Sequence, residues 1–267
     1  MTLITTKYLQ ELKQRNEKIT VLTAYDASFT KHIEQAGVEV ILVGDSLGMV
    51  VQGHDSTMPV TVDDMVYHTT MVASARQRAL LIADLPYHSY LNKEDALENS
   101  QRLIDAGADI VKLEGGGEFI AIAEYLIHHN IPVCGHLGLL PQSVEELGGY
   151  KVQGREQTAA DKMIEDAKAL SKVGVEMIVL ECIPQQLAKR LTEEVDVITI
   201  GIGAGIDCSA QVLVLYDLLG ITAGKRPKFS KDFLVDLKGN KSIPDAIKAY
   251  VDAVKALTFP TEEHSFN

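Results

Sequence analysis

The chain of 267 residues has few of the features that mark secreted, membrane-bound or zinc-binding proteins. Its three cysteines, Cys134, Cys182 and Cys208, are far apart in the sequence and show no zinc-type spacing. They form no disulfide framework, which fits reduced thiols in a cytosolic compartment. The N-terminal residues lack the basic-then-apolar pattern of a signal peptide, and no apolar run is long enough to cross a bilayer. We therefore expect a soluble, cytoplasmic protein.

Positive charge is also scarce. The chain has 25 Lys and Arg residues against 37 Asp and Glu residues, which gives a formal net charge of -12. This balance argues against a protein that binds nucleic-acid phosphates or an anionic membrane surface. Acidity by itself names no partner, and we expect small-molecule ligands.

Strand-like and helix-like segments alternate along the chain. After an amphipathic helix around residues 5–15, the strand-like segments are 19–24, 39–43, 79–83, 109–113, 131–135, 175–180, 196–200 and 212–216. The clearest helical patterns are 61–75, 93–106, 118–129, 157–173 and 183–194.

This alternation predicts an α/β protein, a (β/α)8 TIM barrel with an N-terminal capping helix. We expect one domain over residues 1–267, because no Pro-, Ser- or Gly-rich linker divides the chain. A doubly wound open sheet is the alternative. The eighth strand is the least certain element, since residues 212–219 could also begin a helix.

Four short apolar runs end abruptly on a carboxylate. The four acids are Asp45, Asp84, Glu114 and Glu181. Continuous β-branched runs of this length are typical of parallel strands that are buried on both faces. The C-terminal ends of parallel strands meet at one mouth, so the acids should converge there. Like charges in a small space repel unless a cation or raised pKa values relieve them.

Three of these acids, Asp45, Asp84 and Glu114, follow consecutive predicted strands. Oxygen ligands suit Mg2+, which takes one or two direct carboxylates and keeps several waters, so one acid could bind through water. Any single strand-end acid is explained equally well by helix capping or by pairing with Lys or Arg. Three acids together favour a metal site.

Other polar side chains should reach the same mouth. Lys112, two residues before Glu114 and on the same strand face, could neutralise the acids, but we favour a contact with a substrate carboxylate. Glu181 suits proton abstraction if it lies off the metal in a desolvated pocket, although backbone donors could equally satisfy it. His136 could contact substrate or be structural, and Ser46 could bind a substrate carboxylate or cap a turn.

Two connections are long for a barrel, residues 44–59 and 136–155, and such loops are usually lids or binding loops. The glycine-rich segment 200–205 follows the seventh strand, where many barrels bind phosphate, but tight packing explains it as well. Cys182 has no base near it in sequence, so we interpret it as a packing residue.

Several separated motifs resemble those of the ketopantoate hydroxymethyltransferase family. They occur in the family's order from about residue 20 to the C-terminal tail. The motifs are Val43-Gly44-Asp45-Ser46-Leu47-Gly48, Gln52-Gly53-His54-Asp55-Ser56-Thr57, Ala83-Asp84-Leu85-Pro86, Val111-Lys112-Leu113-Glu114-Gly115, Gly135-His136-Leu137-Gly138, Gly149-Tyr150-Lys151-Val152-Gln153-Gly154-Arg155, Ile200-Gly201-Ile202-Gly203-Ala204-Gly205 and Glu263-His264-Ser265-Phe266.

The resemblance implies a barrel of the phosphoenolpyruvate/pyruvate type, one Mg2+ per subunit and a homodecamer. It implies transfer of a hydroxymethyl group from 5,10-methylenetetrahydrofolate to 3-methyl-2-oxobutanoate, the first step of pantothenate synthesis. Glu181 matches the proton acceptor that forms a Mg-stabilised enolate. The predicted metal ligands are Asp45, Asp84 and Glu114. The predicted substrate contacts are Asp45, Ser46, Asp84, Lys112 and His136.

The chain departs from the family pattern at residues 208–211, where relatives often carry Asp-Gly before the Gln, and at Tyr216, where His is common. Neither departure touches a predicted metal or base position. Three alternatives stay open: a Mg2+-dependent lyase or phosphonomutase of the same barrel type, a phosphate-binding isomerase centred on residues 201–205, and a non-catalytic barrel. A folate requirement would exclude the lyase, and the isomerase should work in EDTA.

Overall fold

Eight parallel strands form a closed barrel in chain order, β1 to β8. The structure, a computed structural model, describes residues 3–144, 149, 151–223, 226–238 and 242–267. The predicted TIM barrel is therefore confirmed, and the open sheet is wrong. The strands are β1 Ile19–Thr23, β2 Val40–Val43, β3 Leu80–Asp84, β4 Ile110–Lys112, β5 Val133–Gly138, β6 Met177–Glu181, β7 Ile198–Ile202 and β8 Ala210–Leu213.

The helices are α1 Thr6–Gln14, α2 Ala27–Ala36, α3 Leu47–Val50, α4 Val62–Ala75, α5 Lys93–Asp105, α6 Phe119–His128, α7 Gln157–Val173, α8 Gln185–Glu194, α9 Leu215–Leu218, α10 Phe233–Asp236 and α11 Ile243–Lys255. Helices α2 to α8 connect consecutive strands, whereas α1 precedes β1 and α9 to α11 follow β8. Within the described ranges, none of them combines the length and the apolar character that spanning a bilayer requires.

The eighth strand was predicted two residues too late, at 212–216. Barrel closure sets its register, because β8 pairs with β1 from Ile19↔Ala210 to Leu22↔Leu213. The ladder then stops where the Leu215 amide donates to Thr23 Oγ1 at 2.9 Å, and α9 begins. The sequence pattern holds no information on this closing pair.

Side chains of the strands alternate between the barrel interior and the helical layer. In β3, Leu80 and Ile82 belong to the interior cluster, whereas Leu81 and Ala83 pack in the cluster shared with the helices. Successive side chains on a strand point to opposite faces, so Asp84 continues the interior set. Polar residues of the same parity at the C-terminal ends of the strands therefore point into one mouth.

The opposite end of the barrel is closed by α1, as predicted. Leu9 and Leu12 of α1 are buried in the interior cluster, next to the first residues of the strands. Lys13 Nζ donates to the carbonyl oxygens of Val195, Asp196 and Val197 at 3.0, 2.9 and 2.7 Å. These bonds hold the helix against the start of β7.

The C-terminal tail packs back onto the barrel mouth. Phe266 forms a parallel bridge with Pro184, and its carbonyl accepts a hydrogen bond from the Gln185 amide at 2.8 Å. Lys228 Nζ lies 4.8 Å from the centre of the Phe266 ring. The tail therefore covers the segment that follows Glu181.

Tyr250 of α11 contacts the pair of strands that closes the barrel. Its hydroxyl is buried and lies 2.9 Å from Val21 O in β1 and 2.7 Å from Gln211 O in β8. The single hydroxyl proton can donate to either carbonyl. Helix α11 is therefore fixed across the junction of the first and last strands.

Tyr250→Phe should lower the free energy of unfolding by about 1–2 kcal/mol, because it removes a buried donor from two carbonyl groups. Thermal unfolding should show a Tm about 2–8 °C below that of the native protein. Tyr67→Phe is the matched control, since Tyr67 is 62% exposed. Equal Tm values for Tyr250→Phe and the native protein would show that this hydroxyl does not stabilise the closure.

Candidate active site

Seven polar side chains predicted from the sequence gather where β2 to β6 end. Five of them are buried, while Ser46 and Glu181 are partly accessible. The set is Asp45, Ser46, Asp84, Lys112, Glu114, His136 and Glu181. In the predicted loop 136–155, residues 145–148 and Tyr150 of the quoted motif lie outside the described residues.

The turn after β2 joins the first two acids. The Asp45 amide donates to Asp84 Oδ2 at 3.1 Å, and Ser46 Oγ lies 2.9 Å from the Tyr25 hydroxyl. A Cβ atom at Gly44 would lie 2.8 Å from Ser46 Oγ, which explains the glycine at this close approach. The turn therefore places both Asp45 and Ser46 at the mouth.

Lys112 lies between the acids of β3 and β4. Its Nζ is 3.1 Å from Asp84 Oδ1, 3.6 Å from Glu114 Oε1 and 3.4 Å from His136 Nδ1. Burial alone would lower the pKa of Lys112, but the carboxylates of Asp84, Glu114 and Asp45 outweigh it and raise the pKa above its ordinary value. The ammonium is therefore charged at neutral pH.

His136 connects Glu114 to Glu181. Its Nδ1 lies 3.3 Å from Glu114 Oε1, and its Nε2 lies 3.3 Å from Glu181 Oε2. Burial and the Lys112 charge oppose protonation, but the two glutamates raise the pKa of His136 to about 9. A charged imidazole thus separates Glu181 from the other acids.

The charge of the acids is unevenly compensated. Burial, followed by repulsion from Asp84 and Glu114, raises the pKa of Asp45 well above its ordinary value. Burial also raises the pKa of Asp84, although Lys112 opposes the shift. For Glu114, burial is outweighed by His136 and Lys112, so its pKa is lowered. A further cation would therefore compensate the charge of Asp45 and Asp84 more than that of Glu114.

The donor atoms fit a hard divalent cation. Among the described residues, Asp84 Oδ1 and Glu114 Oε1 are buried oxygens that make no hydrogen bond and are compensated only by the ion pairs with Lys112 and His136. No set of three His, Cys, Asp or Glu residues in that part of the chain forms a ready-made metal cage. Mg2+ needs no such cage, because it takes one or two carboxylates and completes its shell with water and substrate.

Gln142 is a site residue that the sequence analysis missed. Its Nε2 donates to Asp45 Oδ2 at 2.8 Å and to Leu85 O at 2.9 Å. The only sequence signal is a polar residue after Pro141 in a mostly apolar stretch that follows β5. Such a signal is common and would not by itself indicate a buried contact.

The glycine-rich segment after β7 is filled by side chains. A Cβ atom at Gly201 would lie 2.9 Å from Cys208 Sγ, and one at Gly203 would lie 2.9 Å from the Phe266 ring. These contacts favour tight packing over a phosphate site. Cys182 is buried against Leu139, which agrees with a packing role.

Comparison with known sequences gives one family over nearly the whole chain. The family model described as "Ketopantoate hydroxymethyltransferase" matches residues 3–262. The "3-methyl-2-oxobutanoate hydroxymethyltransferase 2" of Hahella chejuensis is 53% identical over 264 residues, covering 99% of each chain. The 3-methyl-2-oxobutanoate hydroxymethyltransferase of Marinobacter nauticus is 53% identical over 263 residues, covering 98% of each chain.

Solved structures with the same fold are more distant in sequence. A 2,3-dimethylmalate lyase, a PEP mutase/isocitrate lyase superfamily member, superposes with a TM-score of 0.62 at 14% identity, covering 97% of this chain and 99% of the other. A phosphonopyruvate hydrolase in complex with oxalate and Mg++ superposes with a TM-score of 0.60 at 14% sequence identity. The match covers 96% of this chain and 99% of the other. At these identities the likeness supports the barrel alone.

Asp45→Asn should stabilise the protein in EDTA, because it removes a buried charge that Asp84 and Glu114 repel. We expect thermal unfolding at pH 7 to show a Tm about 2–4 °C higher, roughly 1 kcal/mol for a chain of this size. The gain should shrink as the pH falls, since folded Asp45 takes up its proton at a higher pH than the unfolded chain does.

Glu98→Gln is the control for this experiment, because Glu98 is exposed and its loss changes the net charge equally. It should leave the Tm unchanged. A Tm for Asp45→Asn at or below that of the native protein in EDTA would contradict the electrostatic description of the site.

Proposed function

We propose that this chain, which belongs to the ketopantoate hydroxymethyltransferase family, transfers a hydroxymethyl group from 5,10-methylenetetrahydrofolate to 3-methyl-2-oxobutanoate. The products are 2-dehydropantoate and tetrahydrofolate, in the first step of pantothenate synthesis. The observation that carries the proposal is the mouth itself, where two buried carboxylate oxygens without hydrogen bonds lie beside a charged lysine. A cation and a 2-oxo acid would satisfy both kinds of group.

We assign Asp45, Asp84 and Glu114 as the residues that would hold Mg2+. Bound there, the ion would polarise the ketone oxygen of the substrate and lower the cost of charge that develops on it. The oxygen-only donor set supports this choice of metal. The Mg++ and oxalate in the phosphonopyruvate hydrolase of the same fold give coarse support.

The ketoacid carboxylate pairs with Lys112 in this proposal. The ammonium is buried and charged, and Ser46 Oγ is held at the same mouth by Tyr25. Together they supply a cation and a hydroxyl donor for an anionic group. Contacts from Asp45, Asp84 and His136 complete the substrate site.

Glu181 accepts the C3 proton. Its carboxylate is held by His136, and its side chain keeps 13% of its surface exposed, against 2% for Glu114. It therefore lies where the mouth opens rather than within the Asp84–Lys112–Glu114 group. Without a positioned base, the proton next to an alkyl ketone leaves far too slowly at neutral pH.

The remaining steps follow from loss of this proton. One of the two carbon–nitrogen bonds of the methylene bridge opens to give an iminium, and the C3 carbon forms a bond to its methylene carbon. Water then supplies the hydroxyl oxygen as the second carbon–nitrogen bond breaks, and the proton from C3 and one proton of the water end on the two nitrogens. Tetrahydrofolate leaves and the hydroxymethyl group stays on C3. The homodecamer and the cytoplasmic location stay predictions from the sequence.

Release of tetrahydrofolate from 5,10-methylenetetrahydrofolate should require both 3-methyl-2-oxobutanoate and a divalent cation. Absorbance or chromatographic assay should show turnover that EDTA abolishes and Mg2+ restores. Full turnover in EDTA would remove the metal from the proposal. Cleavage of a branched 2-hydroxy acid without folate would favour the lyase alternative instead.

Glu181→Gln should slow hydrogen–deuterium exchange at C3 of the ketoacid by about 100-fold or more, because it removes the base. Proton NMR in D2O measures this exchange without folate. The Kd for Mn2+ should stay within about twofold of the native value, since Glu181 lies outside the proposed ligand set. Glu98→Gln is the control, and exchange at the native rate in Glu181→Gln would exclude Glu181 as the base.

A further inference from the structure

A buried glutamine, Gln142, follows shortly after the end of β5. Gln142 lies in a one-turn 3-10 helix, Pro141–Ser143, and is only 4% exposed. Its side-chain amide uses its donors on Asp45 Oδ2 and Leu85 O. A polar side chain buried this deeply must find such partners, because an unpaired amide costs free energy.

The same residue also contacts Glu114. The Gln142 backbone amide donates to Glu114 Oε2 at 3.1 Å. The Tyr90 hydroxyl donates to Gln142 Oε1 at 2.5 Å and accepts from the Glu114 amide at 3.3 Å. Gln142, Tyr90 and Glu114 thus form a closed ring of hydrogen bonds, with Asp45 attached to it.

These bonds occupy one oxygen of each acid. Asp45 Oδ2 and Glu114 Oε2 accept from Gln142, and Asp84 Oδ2 accepts from the Asp45 amide. Among the described residues, the second oxygens of Asp84 and Glu114 make no hydrogen bond and face only cationic groups, Lys112 Nζ at 3.1 and 3.6 Å and, for Glu114 Oε1, His136 Nδ1 at 3.3 Å. Gln142 therefore holds one oxygen of Asp45 through its side chain and one oxygen of Glu114 through its backbone amide.

Only a primary amide of this length meets both requirements at once. Tyr90 donates to its oxygen, which leaves the NH2 group to face Asp45. A glutamate would keep the acceptor for Tyr90 but would place a negative charge beside Asp45. A leucine would leave both Tyr90 and Asp45 without this partner.

We propose that Gln142 is a positioning residue that orients Asp45 and Glu114 so that each presents one oxygen to a divalent cation. The inference rests on the proposed function, because it assumes that these acids hold an ion. Hydrogen-bond partners of ligating carboxylates typically change metal affinity by about 10–100-fold when they are removed. Gln142 acts through the acids and contacts no reacting atom.

The test is the Kd for Mn2+, measured by electron paramagnetic resonance without substrate. Gln142→Leu should raise it at least about tenfold, because Asp45 loses its side-chain donor. Tyr90→Phe should raise the Kd by a smaller factor. It removes the hydrogen bond to the side-chain oxygen of Gln142 but leaves Gln142 in place. Gln101→Leu is the matched control, since the exposed Gln101 side chain donates to Asp105 on the surface of α5, away from the acids.

Activity at high Mg2+ is a second measurement that separates weaker binding of the ion from damage to the structure. High Mg2+ should restore most of the kcat of Gln142→Leu, because the variant weakens binding of the ion rather than the chemistry. Near-UV circular dichroism in EDTA checks that each variant is folded. If Gln142→Leu does not fold, Tyr90→Phe gives the same test with Gln142 in place.

Two failures can be told apart. If the native protein binds no Mn2+, the proposed function is wrong, whatever the variants do. If the native protein binds Mn2+ and the folded Gln142→Leu and Tyr90→Phe variants bind it within about twofold of native, the inference about Gln142 is overturned while the proposed function stands.

Discussion

Repulsion among carboxylates buried together is the constraint on which the barrel mouth depends. Asp45, Asp84 and Glu114 are each at most 3% exposed, and Asp84 and Glu114 lie 3.1 and 3.6 Å from one lysine ammonium. In a buried site, charges interact more strongly than in water, and each needs a compensating partner. Lys112 and His136 compensate the charge on Glu114 better than that on the two aspartates. This uneven compensation is what makes the site suited to a cation.

The fold makes this arrangement possible by holding the backbone of five strands in fixed register. Strand alternation sends Asp84, Lys112 and His136 into the same interior as the apolar cluster below them. Helix α1 closes the other end of that interior with Leu9 and Leu12, so these three polar side chains lie at the end that α1 does not cover. A barrel therefore tolerates many buried charges at one end because the rest of its core is apolar.

Much of the site could be predicted from the sequence because it depends on local rules. A carboxylate directly after a buried parallel strand must lie at the C-terminal face, and Lys112 and Glu114 share a strand face because they are two residues apart. The proposed reaction follows from the resemblance of the sequence motifs to those of the ketopantoate hydroxymethyltransferase family. The comparisons with known proteins support that family. The barrel followed from the alternation of strands and helices.

The rest depends on contacts that no local rule predicts. Gln142 and Asp45 are 97 residues apart, and Tyr90 and Gln142 are 52 apart, so their hydrogen bonds exist only once the folded chain brings Gln142 to the mouth. The register of β8 depends on its pairing with β1. These are the last and the first strands in the sequence, so no local pattern includes both. Propensity within residues 210–219 could not distinguish the end of this strand from the start of α9.

Crystals grown with Mn2+ and 3-methyl-2-oxobutanoate would test the central claim most directly. We expect an anomalous difference peak within about 2.3 Å of an oxygen of Asp45 or Asp84, with the ketoacid in contact with the same ion and with Lys112. A peak bound elsewhere, or an ordered ketoacid at the mouth with both aspartates turned away from it, would contradict the claim that these acids share one cation.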